Sequence, residues 1–178
     1  MSHVQWLLNF PLEKSGLEEE LFKQGKIHQR VKFGRTTEKP NTMVPENFKK
    51  FMTEKYDKEY NGVVGVLGSL RVDGGPNAAP KHFRIRDETH LEFTDIFSNT
   101  LGDVLRKTPE VVVVFFDSQA VIGFRLKGRA TLETFGPLFQ QTATRLQNIG
   151  IKPKALVSIE INEIQSLSYG PGTGKKIG

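Results

Sequence analysis

Ser98, Asn99 and Thr100 place a hydroxyl, a carboxamide and a second hydroxyl directly ahead of Leu101. A serine at a helix start caps it by accepting a first-turn backbone N–H. The remaining N–H groups of that turn, from Asn99 to Leu101, then point outward without intrahelical partners. An anion there meets several donors and the positive end of the helix dipole, with Asn99 and Thr100 adding side-chain donors. On this segment alone a capped helix with nothing bound is the plainer reading. Lys81 is a second candidate, at the end of Asn77-Ala78-Ala79-Pro80-Lys81, where Pro80 removes an N–H donor and stiffens the chain. Taken singly, a lysine is more often solvated. Arg125 and Lys127 alternate with Phe124 and Leu126 and so share one strand face. That face is either turned to the same pocket or to solvent.

Other chemistries are excluded or unsupported. The chain has no cysteine, which removes disulfides, thiolate catalysis and cysteine-ligated metals. His3, His28, His82 and His90 have no ligand spacing, and no nucleophile elbow marks a triad. Gly170-Pro171-Gly172-Thr173-Gly174-Lys175-Lys176 superficially resembles a phosphate loop. However, Tyr169 stands where the first glycine belongs, Lys176 replaces the hydroxyl, and no helix can follow. A flexible basic terminus is expected instead.

The net charge of +5 and a pI near 9.4 permit contact with anions. The cations are spread along the chain without an interleaved aromatic row, so no nucleic-acid partner is expected. No stretch approaches the ~20 apolar residues of a spanning helix, and the N-terminus lacks a signal-peptide pattern. No membrane partner is expected, and the expected location is cytoplasmic.

Residues 1–44 read as an N-terminal extension, with helical spacing from Leu17 to Ile27. It is either an arm packed on the core or a partner, or a loosely ordered leader. The domain proper spans 45–178. It opens with a short helix carrying Phe48, Phe51 and Met52 on one face. Val63–Val72 reads as a buried strand, Asp73-Gly74-Gly75 as a hairpin turn, and Asn77–Ile85 and His90–Thr94 as the next two strands. A helix over Ser98–Lys107 follows. Val111–Phe116 reads as a strand buried on both faces, and Ala120–Glu133 as a long half-buried strand. An amphipathic helix over Phe135–Asn148 precedes strands at Ala155–Ile161 and Ile164–Leu167. Six or seven strands with short connections and two or three helices predict a mainly β fold, a small antiparallel barrel with flanking helices.

The order of these pieces resembles the FMN-binding split-barrel family, the relatives of pyridoxamine 5'-phosphate oxidase. The pattern is a glycine-containing strand, Asp73-Gly74-Gly75-Pro76-Asn77, Ala79-Pro80-Lys81, Phe93-Thr94-Asp95-Ile96-Phe97-Ser98, the Val/Phe strand and Lys127-Gly128-Arg129-Ala130-Thr131-Leu132. The resemblance implies a split β-barrel and FMN held at a homodimer interface. It implies cofactor contacts from Ala79, Pro80, Lys81, Thr94, Asp95, Ser98, Asn99, Thr100 and Lys127, with the phosphate at Ser98–Thr100. The implied activity is that of an oxidoreductase or electron carrier acting on a small molecule, with a nicotinamide donor possible. The alternative is a flavin-binding or sensing module without turnover. There are two departures. Asn99-Thr100 stands where many relatives place a lysine or arginine. The arginine and tryptophan pattern of the vitamin-B6 oxidases is missing at the C-terminus, the single tryptophan being Trp6. Pyridoxamine-phosphate oxidation is therefore not expected.

Overall fold

Strand alternation builds the molecule. The computed structural model describes residues 43–178. The expectations for 1–44, including the helix at Leu17–Ile27, lie outside the described residues except at Met43 and Val44. Val44 is already part of the buried core.

Helix α1 (Glu46–Glu54) leads into β1 (Val63–Leu70), β2 (Pro76–Asp87) and β3 (His90–Asp95). Then come α2 (Leu101–Lys107), β4 (Glu110–Asp117), β5 (Ile122–Glu133), α3 (Pro137–Gln147) and β6 (Ala155–Ser166). The six strands close into a barrel in the order β1-β2-β3-β6-β5-β4, with β4 returning to β1. Every pairing is antiparallel. The two strands expected after α3 are one continuous strand, β6.

Val63 and Leu67 of β1, Phe83 of β2, Leu91 and Phe93 of β3, and Val113 and Phe115 of β4 fill the interior. From α1, Phe48 and Phe51 pack against Phe115 and Phe124 with ring centroids 5.1–6.2 Å apart. Two glycines make this density possible. A Cβ on Gly65 would lie 2.7 Å from the Phe115 ring. One on Gly128, where the β5–β6 register shifts, would strike the Glu160 carbonyl and come within 2.7 Å of Ile159.

Val111–Phe116 is not buried on both faces. Val111, Val113 and Phe115 point inward, whereas Val112 and Val114 are half-buried and Phe116 is 58% exposed. The reason lies in the helices: α2 packs on β5 and α3 on β6, so among the described residues no helix covers the outer side of β4 and neighbouring β1. Val64 and Val66 are exposed on that same side.

The C-terminus is also ordered, contrary to the flexible tail expected from its glycines and lysines. Ser166 N–H donates to Lys175 O at 3.0 Å, Gly174 N–H to Ser166 O at 2.6 Å, and Ile177 N–H to Ile164 O at 2.8 Å. Ile164 N–H donates to Gly178 O at 2.7 Å. The tail folds back because these β6 groups face away from β5 and Ile177 finds apolar company on the core. Lys176 is bridged to Gln165 in this returning segment.

Candidate functional site

Directly opposite residues of an antiparallel pair point to the same face, which decides what the β1–β2 hairpin presents. Leu67 faces Ala79, Gly65 faces Lys81 and Ser69 faces Asn77 across this pair. Val66 and Pro80 oppose each other on the outer face. The hairpin turn is closed by Arg71 N–H to Gly75 O at 2.7 Å, with Gly74 at φ 81°. Arg71 also pairs with Asp73. The Gly75 N–H and then the Arg71 guanidinium hold the Asp73 carboxyl below the usual carboxylate range.

A groove of about 600 Å3 opens between this hairpin and the segment from Ser98 to Leu101. Its apolar lining comes from Leu67, Leu70, Val72, Ala79, Leu101 and Val104, and its polar lining from Arg71, Asp73, Asn77, Lys81, Ser98, Asn99 and Thr100. Five of the expected residues therefore converge here: Ala79, Lys81, Ser98, Asn99 and Thr100. The other four do not line it. Pro80 faces outward. Asp95 sits behind Lys81, 3% exposed. Thr94 projects to the opposite side of β3 from Asp95, and Lys127 lies on the outer face of β5, 3.0 Å from Glu163. Arg125 shares that outer face and bonds Gln165.

Ser98 does not cap a helix. Helix α2 begins at Leu101 with Thr100 in the N-cap position, and no side chain caps it. The serine is committed elsewhere: Lys81 Nζ donates to Ser98 Oγ at 3.1 Å and to Asp95 Oδ1 at 3.2 Å. The ammonium also lies 5.6 Å from the Phe93 ring centroid. Behind the same corner, Lys154 Nζ donates to Ser98 O at 2.8 Å and Asn99 Oδ1 at 2.9 Å. Lys154 N–H donates to Asp95 O at 2.8 Å, an extension of the β3–β6 pairing that ends at Asp95–Ala155.

Sequence reasoning missed Lys154. It stands far from Ser98 in the chain, and only strand pairing brings the two together. The hairpin residues Arg71, Val72 and Asp73 were legible as a turn but not as a groove wall. Among the described residues, no cluster of His, Asp and Glu could hold a metal ion, and no helix is long and apolar enough to cross a membrane.

The family model described as pyridoxamine 5'-phosphate oxidase matches residues 52–168. The chain belongs to this family. The barrel just described is the pyridoxamine 5'-phosphate oxidase-like split barrel, and the matched span includes both walls of the groove. Solved structures repeat the fold. HupZ of Group A Streptococcus is 20% identical with a TM-score of 0.61, the match covering 74% of this chain and all of that one. A Clostridium acetobutylicum protein of the pyridoxinephosphate oxidase family, related to general stress protein 26, is 12% identical with a TM-score of 0.54 over 75% and 96% of the two chains. An FMN-binding protein of Syntrophomonas wolfei is 15% identical with a TM-score of 0.52 over 87% and 99%. At these identities the likeness is one of fold. No curated protein sequence matches the chain.

Proposed function

We propose that this oxidase-family chain binds FMN non-covalently in the groove and works as an oxidoreductase or electron carrier on a small molecule. The observation that carries the reading is the groove itself. Its size is that of a cofactor site, its lining is part apolar, and its polar residues lie at the hairpin and at the Lys81–Ser98 corner. These residues suit the group. Ala79, Leu70 and Val72 offer apolar surface for a ring system, Asn77 and Arg71 offer polar contacts at the hairpin, and Lys81 and Ser98 offer donors to an anion. Bound there, FMN would supply electron transfer through its own ring. The chain's part is to bind and orient it: Asp95 fixes the Lys81 ammonium at the groove's edge.

The functional unit in this reading is a homodimer joined through the outer faces of β1 and β4. Val64 is 56% exposed, Val66 44% and Phe116 58%, with half-buried Val112 and Val114 beside them. Contiguous exposed β-branched and aromatic residues on one sheet face mark an association surface. Pro80 and Lys127 lie on outer faces, so they reach a ligand only where two copies meet.

The test is an absorbance spectrum of the purified protein, before and after FMN is added and the excess removed. Visible flavin bands that stay with the protein are expected. Protein that remains colourless refutes the reading. Oxidation of NADH or NADPH above the rate with free FMN separates an enzyme from a flavin-binding module without turnover.

A further inference from the structure

Phe139, Ala143 and Gln147 recur four residues apart on α3 and so form one stripe along it. Beyond Gln147 the chain reverses. Gly150 takes φ 76°, its N–H donates to Gln147 O at 3.0 Å, and the Ile151 N–H donates to Leu146 O at 2.9 Å. This is the doubly bonded helix end that a left-handed glycine allows. It lays Ile151, Lys152 and Pro153 alongside the stripe, and a cavity of about 410 Å3 opens between the two. Small-molecule sites span about 300–1,000 Å3. The cavity shares no lining residue with the groove beside Ser98. Ala143 leaves the room, since only a methyl stands mid-stripe where a longer side chain would fill it.

The lining is amphipathic and the charge around it has one sign. Phe139, Ala143, Ile151 and Pro153 are apolar, Gln147 brings a carboxamide and Lys152 an ammonium. From Thr134 to Ile159 the sequence holds no aspartate or glutamate, yet Arg145, Lys152 and Lys154 all lie within that span. Among the described residues none of the three has a carboxylate within ion-pair distance. Uncompensated charge beside an apolar wall focuses its field on the opening and draws in the opposite sign. The wall is also set in advance. Pro153 is buried, the Lys154 N–H donates to Asp95 O at 2.8 Å, and the Lys154 ammonium donates to Ser98 O and Asn99 Oδ1. A wall held by its own bonds costs little to order when a ligand arrives.

We propose that this cavity is a second binding site, for a small amphiphilic carboxylate. The apolar body of the ligand lies against Phe139, Ala143, Ile151 and Pro153. Its carboxylate meets the Lys152 ammonium, with the Gln147 amide as a second donor. A small inorganic anion would leave the apolar stripe wet, and an uncharged hydrocarbon would leave the cation unanswered; an amphiphilic carboxylate satisfies both. The proposal does not depend on the flavin reading, because it uses residues outside the groove.

The experiment titrates the full chain with octanoate, 1-octanol and acetate and follows backbone amide shifts by NMR. Octanoate should move the Gly150, Ile151 and Lys152 amides saturably and bind more tightly than either 1-octanol or acetate. Ala143→Leu, which fills the cavity with a good helix former, should abolish those shifts. Lys152→Gln changes an exposed side chain and should leave the fold intact. It should weaken octanoate about threefold to fivefold, the range of an exposed ion pair, leave 1-octanol unchanged, and be rescued in Lys152→Arg. Absence of saturable shifts at these amides, or shifts confined to Ser98–Leu101, would overturn the proposal. So would acetate binding as tightly as octanoate, which would leave only a cationic patch, or equal weakening of octanoate and 1-octanol in Lys152→Gln.

Discussion

Replacing Lys81 by methionine keeps most of the side chain's length and removes its charge, leaving Asp95 buried without a cation. Asp95 and Lys81 are 4% and 16% exposed in their side chains, and the pair is separated by 3.2 Å. At an effective dielectric of about 20 the attraction is about 5 kcal/mol. Much of it offsets the cost of taking both ions out of water. The net loss on removing one partner of such a pair is about 3–5 kcal/mol, because the remaining charge is stranded. The residual exposure of Lys81 places the expectation at the lower end, about 3 kcal/mol. With a urea slope of about 2 kcal/mol/M for a domain of this size, the unfolding midpoint should fall by roughly 1.5 M. Asp95→Asn and the double variant complete the cycle. If the two residues act as a unit, the double variant should lose clearly less than the sum of the singles, by about 2 kcal/mol. A midpoint shift below about 0.5 M, or simple additivity, would mean that the pair does not hold this corner together.

Further perturbations test other parts of the argument. Gly128→Ala forces a methyl against the Glu160 carbonyl and Ile159, so thermal unfolding should show a loss of about 2 kcal/mol; an unchanged melting temperature would mean that the β5 irregularity relaxes freely. Val66→Glu puts a charge in the middle of the open β1–β4 face and should give monomers in sedimentation velocity, whereas a dimer that persists places the contact elsewhere. Asp73 is held below its ordinary value first by the Gly75 N–H and then by Arg71. A depressed carboxyl contributes its stability above the unfolded-state value and loses it as pH falls through the lower folded-state value. Exchange protection of the Gly75 amide should therefore persist to pH below the ordinary aspartate range and then drop; protection lost at the ordinary value would contradict the assignment.

Strand order along the chain, the Asp73-Gly74-Gly75 turn and the barrel class were legible because each rests on local pattern: alternation, glycine at a tight turn, short connections. What was not legible depended on neighbours. The Val111–Phe116 run looks the same in sequence whether one face or two are covered, and only the placement of α2 on β5 and α3 on β6 decides it. Ser98 has the right chemistry for a cap, but Lys81 and Lys154 arrive from β2 and the start of β6 to claim it. Pro80 and Lys81 are adjacent in sequence, and the period-two alternation that separates their faces puts only the lysine in the groove. The same alternation divides Thr94 from Asp95.

The folded-back segment after Tyr169 has a consequence for solubility. Beyond Glu160, β6 outruns β3 and would present unpaired amides and carbonyls along one edge, a template on which another chain's strand can grow. Lys175–Gly178 occupies that rail at Ile164 and Ser166 with the protein's own backbone, so a single copy shields itself from runaway strand-by-strand aggregation.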